Sequence, residues 1–369
     1  MTARKVAYLT PLYFDEASCL GGGERYPLNL ARGVVLASRG EVRVDLISFG
    51  DAARTLTLAD GVGLRVLPMA RKPANPLDVL SWELPDALAD YDLVHVHQAF
   101  TRCAEMGVLI ARQMGKPVFV TDHGGYSSPL GAEVGLLDLA DRIVAYSDFG
   151  ASLYRTPRPI DVIRGGVDSD LFQPPRVRPR RDRFAFVGRL LPHKGIDDLI
   201  EALPHDLPLT ICGRPYRPDY FVTLQRLAAG KRIDFLTGAD DATIRDLYAR
   251  SWATILPSVY RDRDGVTYEA PELMGFTLLE SMACGTPAVA SRVGAMPEFI
   301  RDGETGFVFD SIEGLTATLA RLAADQPLVE TMGERARREV LAEFDLKVAG
   351  SKLNRLYADT LGARRGEAA

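Results

Sequence analysis

The stretch PELMGFTLLESMACGTPAVAS, residues 271–291, is apolar enough for a core, yet it carries Glu272 and Glu280 on either side of Gly275. Thr277-Leu278-Leu279-Glu280 has the spacing of a capping box, in which Thr and Glu satisfy the first backbone donors of a helix. Gly285 and Pro287 then end that helix. Pro271 and Gly275 place Glu272 in the loop ahead of it. There its carboxylate can accept from hydroxyl groups, while N–H groups of Gly275, Phe276, Thr277 and Leu278 can donate to an anion. Spacing alone leaves Glu280 open between cap and ligand-holding group, and Glu272 open between solvated loop acid and functional one. A second candidate is FAFVGRLLPHKGIDDLIEAL: a strand ends at Gly188, Arg189 follows, and Lys194-Gly195 enter a helix. Two cations beside a helix start form a phosphate clamp. Each charge-assisted hydrogen bond contributes about 1.5–3 kcal/mol, and the helix end adds ~0.3–1 kcal/mol. The bland alternative is a pair of solvated cations. A third candidate is Gly21, Gly22 and Gly23, which precede an amphipathic segment and let backbone N–H groups approach an anion. They are not a dinucleotide fingerprint, because G-x-G-x-x-G is absent. His95 and His97 share one face of a strand, with no third ligand in evidence for zinc.

These groups need a scaffold, and the chain has room for one. At roughly 150 residues per domain, 369 residues suggest two or three domains. The composition, 47% hydrophobic and 25% charged, is that of a soluble globular protein. A net charge of -5 gives no basic footprint for nucleic acid. No apolar run approaches the ~18 residues of a membrane span. MTARKVAYLT enters a strand pattern directly and lacks the apolar region of a signal peptide. The cysteines, Cys19, Cys103, Cys212 and Cys284, have no paired spacing and read as reduced thiols of a cytoplasmic protein.

Short β-type runs alternate with helix-length segments: KVAYLT, VRVDLIS, LRVLP, DLVHVH, PVFVTD, RIVAYS and DVIRGG, then FAFVGR, LPLTICG, RIDFLTG, WATILPS, PAVAS and GFVF. Such alternation implies parallel sheets covered by helices. QPPRVRPRRDR, from residue 173, is rich in Pro and Arg and reads as an exposed linker, with a basic lipid- or phosphate-binding patch as the alternative. The expected division is therefore 1–173 and 184–344, joined by 174–183. Residues 345–369 form a terminal helix packing back toward the first domain, with a disordered tail. Two doubly wound domains facing each other would leave a cleft outside the carboxyl ends of the strands.

Taken together, VGRLLPHKGIDDLIEAL, the E-x7-E of ELMGFTLLESMACGTPAVAS and VGAMPEFIRDGETGFVF resemble retaining glycosyltransferases of the family 4 type, with the GT-B fold. GGGERYPLNLARGVVLASRG, DLVHVH, PVFVTDHGG and IRGGVDSDLFQPP match in the same order, so the resemblance spans nearly the whole chain. It implies a nucleotide diphosphate-sugar as donor substrate and no cofactor. Arg189 and Lys194 match the pair on the donor diphosphate, and Gly188 ends the strand before them. Glu272 matches the glutamate beside the donor sugar, and Glu280 the one holding the ribose. Amides near Phe276 and Thr277 would contact sugar and phosphate. His123, in TDHGG, matches the active-site histidine near the donor sugar; without the resemblance it reads as a packed strand-end histidine. Gly21, Gly22 and Gly23 match the loop over diphosphate and acceptor. His97 is expected to line the acceptor pocket and His95 to pack.

Two departures bear on specificity. SVYRDRDGVTYEAP, residues 258–271, is longer than the usual loop, and Met274 stands where an aromatic is common. The loop contains Asp262-Arg263-Asp264, a D-x-D string of the kind that binds a metal in GT-A enzymes. With Arg189 and Lys194 already supplying charge, a mobile charged loop is the expectation and no metal site is assigned. Partners implied are a glycan, lipid-linked or small-molecule acceptor and a peripheral membrane contact, with no nucleic acid. Rival readings on the same scaffold are a nucleotide-sugar epimerase, a sugar phosphorylase or a non-catalytic nucleotide-sugar-binding module. A nicotinamide dehydrogenase is disfavoured by the missing fingerprint.

Overall fold

The computed structural model describes residues 3–11, 22–123 and 130–367. It divides into two compact units, Met1–Gly166 with Leu346–Ala369, and Val167–Asp345.

The first unit carries an eight-stranded sheet. Its strands are β1 (Arg4–Leu9), β2 (Val42–Gly50), β3 (Arg54–Thr57), β4 (Gly63–Pro68), β5 (Leu93–His97), β6 (Val118–Thr121), β7 (Arg142–Ala145) and β8 (Ile160–Val162). Their order is β3-β4-β2-β1-β5-β6-β7-β8. All pairings are parallel except β3 with β4. β5 and β6 are buried at every position, as strands covered on both faces must be. β3 was missing from the sequence reading for the opposite reason: RTLT is exposed throughout and has no buried face to betray it.

The second unit carries six parallel strands: β9 (Arg183–Val187), β10 (Leu209–Cys212), β11 (Ile233–Leu236), β12 (Ser251–Leu256), β13 (Ala288–Ser291) and β14 (Gly306–Phe309). The order is β11-β10-β9-β12-β13-β14. β9 therefore pairs with β10 on one side and β12 on the other, so the chain reverses its direction of travel across the sheet there. β1 does the same between β2 and β5. Such switch points leave an opening at the carboxyl ends of the strands.

Three expectations need correction. The first unit ends at Gly166, ahead of residue 173. The supposed linker, 174–183, lies inside the second unit. Arg181 is buried there, donating to the carbonyls of Ser251 and Gly285 and, at 2.8 Å, to Thr286 Oγ1. A guanidinium has five donors, so one arginine can be core when carbonyls surround it. The third concerns the tail: the last helix runs Leu346–Glu367, and Arg364 donates to Asp141 at 2.7 Å and to the Gly115 carbonyl. This helix groups with the first unit, burying Leu346, Ala349, Leu353 and Tyr357. Cys103, Cys212 and Cys284 are buried free thiols, and burial raises all three pKa values; Cys19 lies outside the described residues. Among the described residues no helix is long and apolar enough to cross a membrane.

Candidate active site

In the second unit, Lys194, Ser258 and Glu272 converge. Gly188 follows β9 and Arg189 stands exposed beside it. The chain then makes a tight turn, Pro192–Lys194, into the helix Ile196–Ala202. Gly195 permits the turn: its φ is +62°, and a Cβ there would meet the Pro257 carbonyl oxygen at 2.2 Å. That close approach sets the lysine turn against the residues that follow β12. Glu272 is drawn in from the far side, where its carbonyl accepts from Ala295 N at 3.0 Å. Gly294 makes room, since a Cβ there would lie 2.2 Å from the Glu272 carbonyl oxygen.

Lys194 Nζ and Ser258 Oγ both donate to Glu272 Oε1, the latter at 2.6 Å. Lys194 and Glu272 are buried, at 9% and 6% exposure. Two groups that the sequence assigned to separate tasks, phosphate and sugar, thus begin as one ion pair. A buried pair of this kind is costly to break one-sidedly. His193, next in chain, is pushed down to about 4 by burial and by the Lys194 charge, so it stays neutral at pH 7.

Gly275 precedes the helix Phe276–Ala283 in the left-handed conformation, and no side chain caps that helix. The Thr277–Glu280 capping box is therefore not formed. Glu280 is instead buried on the helix's inner side and accepts from Tyr248 OH at 3.3 Å. The cap failed because the helix starts one residue before Thr277, so Thr277 lies within it. Phe276 and Thr277 are half-buried, while Leu278 and Met274 are buried.

Loop 258–271 is an ordered hairpin, which corrects the expectation of a mobile one. Asp262 N donates to the Val266 carbonyl at 3.0 Å and Tyr268 N to the Tyr260 carbonyl at 2.8 Å. The Asp262 carboxylate accepts from Val266 N and Tyr268 OH, so it is committed within its own turn. Among the described residues no group of three or more His, Cys, Asp or Glu side chains could hold a metal. Arg263 leaves the hairpin to bind Asp198 at 2.9 Å and Glu201 at 2.5 Å and 2.8 Å, on the helix that follows Lys194. This clasp seats Tyr268 against His193, rings 5.0 Å apart, and Tyr260 OH as acceptor for Gly294 N. Arg263 is 42% exposed, so its ion pairs are screened and should contribute only ~1 kcal/mol. Arg263→Ala is expected to leave the melting transition nearly in place while limited proteolysis begins cutting within 258–271. A hairpin as protease-resistant as wild type would mean the clasp is dispensable.

The first unit holds its own cluster. His97 is the last residue of β5, and His123 lies two residues beyond β6. His95 is buried with both nitrogens engaged, Nδ1 with Tyr357 OH at 2.6 Å and Nε2 with Thr121 Oγ1 at 2.7 Å. It is a packing residue, as the sequence suggested. Tyr357 OH donates on to Tyr8 OH at 2.8 Å. His97 Nδ1 and His123 Nε2 are 3.1 Å apart. Tyr26 and Tyr146 flank the His123 ring, each at 5.3 Å. Burial pushes His95 and His123 down to about 3 and His97 well below its ordinary value. Of the glycine run, Gly22 and Gly23 open the helix Gly22–Ser38, and Gly21 lies outside the described residues.

Sequence reasoning missed Ser258, Tyr248, Tyr268 and the His97–His123 bond. Ser258 carried a usable signal, since it stands just past the carboxyl end of β12. The others are set by contacts between segments far apart in the chain.

Comparison with known proteins decides the family. The glycosyl transferases group 1 model matches residues 168–339, and the glycosyltransferase family 4 model matches 20–171. The chain is a GT-B glycosyltransferase of the family 4 type. It is 31% identical to a GDP-mannose-dependent alpha-(1-6)-phosphatidylinositol monomannoside mannosyltransferase of Mycolicibacterium smegmatis, over 58% of this chain and 60% of the relative. The match to that relative thus spans less than two thirds of its length. A D-inositol 3-phosphate glycosyltransferase of Salinispora arenicola is 28% identical over 98% of this chain and 93% of its own. Among solved structures, sucrose-phosphate synthase of Thermosynechococcus elongatus superposes with a TM-score of 0.75 at 22% identity, covering 98% of this chain and 100% of that one. HepE of Anabaena, in complex with UDP and glucose, gives 0.72 at 20% identity, covering 98% and 100%.

Proposed function

We propose that this glycosyltransferase moves a sugar from a nucleoside diphosphate-sugar to an acceptor hydroxyl with retention at the anomeric carbon, using no metal and no cofactor. The observation that carries this reading is the buried Lys194–Glu272–Ser258 cluster, whose Glu272 lies three residues ahead of Gly275 and the helix that no side chain caps. The bond from the anomeric carbon to the diphosphate lengthens first and leaves oxocarbenium character on the sugar. Negative charge gathers on the departing phosphate. Arg189, Lys194 and the amides of Gly275, Phe276 and Thr277 take up that charge, and preorganised electrostatics of this kind is often the largest catalytic contribution; Leu278, expected to share in this, instead donates its N–H to the Gly275 carbonyl at 3.0 Å. As Lys194 turns to phosphate, Glu272 becomes free to accept from a sugar hydroxyl. The acceptor oxygen bonds to the anomeric carbon on the face the phosphate leaves, and its proton passes to the leaving phosphate oxygen. No side-chain nucleophile is needed. Glu280 is assigned to the ribose, Gly188 and Gly21 to Gly23 to the diphosphate, and His123 to the donor sugar, all through the family resemblance.

The relatives' names point to GDP-mannose and inositol phosphates, and one structural neighbour holds UDP. The hairpin 258–271 is where this chain departs from the usual family pattern, so donor choice is assigned there. An acceptor that is lipid-linked would bring the enzyme to a membrane surface. The test is a thermal-shift panel of UDP-, GDP-, ADP- and dTDP-sugars with and without magnesium. A true donor at 100 times its dissociation constant should add about 2.7 kcal/mol of stability. No response to any nucleotide sugar would sink the reading. Strict magnesium dependence would move the diphosphate to the Asp262–Asp264 string. Epimerised nucleotide sugar, or sugar 1-phosphate made from inorganic phosphate, would replace transfer with a rival reaction.

A further inference from the structure

His97 and His123 form an end-to-end pair. Their ring planes differ by 14° and their centroids are 5.3 Å apart, while the facing nitrogens are 3.1 Å apart. The centroids are thus farther apart than the nitrogens by about two ring radii. The rings therefore lie edge to edge in nearly one plane, with the hydrogen bond along the line that joins them. Their outer nitrogens, His97 Nε2 and His123 Nδ1, are buried and have no hydrogen-bond partner among the described residues.

A neutral imidazole has one N–H and one lone pair. The shared bond therefore sets both tautomers at once. If His97 Nδ1 donates, His97 Nε2 is left an acceptor and His123 Nδ1 a donor. If His97 Nδ1 accepts, both ends reverse. Either way the two rings carry the same tautomer, and the outer ends offer one donor and one acceptor. Burial keeps both rings neutral at pH 7. His95 cannot trade partners with them, because both of its nitrogens are already engaged. Tyr8 packs on His97 at 4.7 Å, and Tyr26 and Tyr146 hold the His123 ring from two sides.

We propose that His97 is a positioning residue for His123: it holds the His123 ring and ties its tautomer to its own, so that the polarity Nδ1 presents to a substrate hydroxyl is always opposite to that of His97 Nε2. This rests on the reading of His123 as a group that contacts the sugar. In each coupled state the buried nitrogen can only donate or only accept, and a substrate hydroxyl must match it.

The experiment uses the full chain with ¹⁵N-labelled histidine and steady-state kinetics with whichever donor the panel identifies. In wild type, His97 and His123 should show the same tautomer, and opposite tautomers would overturn the pairing outright. In His97→Phe, His123 should become a mixture of tautomers, with kcat/KM falling on the order of tenfold. His97→Asn, whose amide can stand where Nδ1 stood, should restore the bond to His123 Nε2 and most of the rate. A His123 tautomer and a kcat/KM both unchanged in His97→Phe would defeat the proposal. Should His97→Phe fail to fold, the wild-type tautomers and the Asn variant still decide. If His123→Ala keeps full activity, it is the sugar-contact reading that falls, while the tautomer spectra report separately on the pairing.

Discussion

Replacing Lys194 by alanine is expected to lower turnover on the order of a hundredfold to a thousandfold, the cost of removing one preorganised donor from a developing charge. It should also lower stability by roughly 3 kcal/mol, because the substitution strands a buried carboxylate. The two losses have different origins. Glu272 is 6% exposed and would keep only Ser258 as a donor to Oε1. A second variant separates them: Lys194→Met with Glu272→Gln removes the charge from both partners and should regain most of the stability but none of the activity. Urea unfolding gives the first quantity and nucleotide release the second. Arg189→Ala makes a useful contrast, since Arg189 is exposed and its loss should cost turnover with little change in the unfolding midpoint. Wild-type turnover in Lys194→Ala would remove the lysine from the mechanism. An unchanged midpoint would mean that Glu272 finds another partner.

The second large effect is acid lability of the first unit. Burial holds His95 and His123 at about 3, and His97 well below its ordinary value of 6.5. All three are neutral in the folded protein. Below pH 6.5 the unfolded chain binds protons that the folded chain refuses, so stability falls as pH falls. The contribution is fully present above pH 6.5 and is lost as pH falls, toward about 3 for His95 and His123. Each histidine accounts for about 1.4 kcal/mol per pH unit within that window. Three together give a slope of roughly 4 kcal/mol per unit, against a typical total of about 5–15 kcal/mol. Urea midpoints at pH 5, 6, 7 and 8 measure the slope. His95→Asn should flatten it by about one proton. If wild type and variant lose stability in parallel, the histidines are not the cause. His193, held at about 4, predicts a smaller effect of the same sign in the second unit.

Much of this protein was legible in its sequence, for a physical reason. Alternating apolar runs and helix-length segments demand parallel sheets, because such strands must be covered on both faces, and all thirteen runs read as strands are strands in the structure. The one strand missed, β3, is exposed at every residue and leaves no such trace. Arg181 was misread because composition cannot distinguish a solvated arginine from one whose donors are all met by distant carbonyls. The roles expected of Arg189, Lys194, Glu272 and Glu280 rested on the family resemblance. Tertiary structure decided which of these groups touch. Lys194 and Glu272 are 78 residues apart, and only the close approach at Gly195 and Gly294 makes them an ion pair. His97 and His123 are 26 apart, and only adjacent pairing of β5 and β6 brings their rings into one plane. Sequence determined most of the strands and which residues could do chemistry; the packing of one segment on another decided which charges and protons they share.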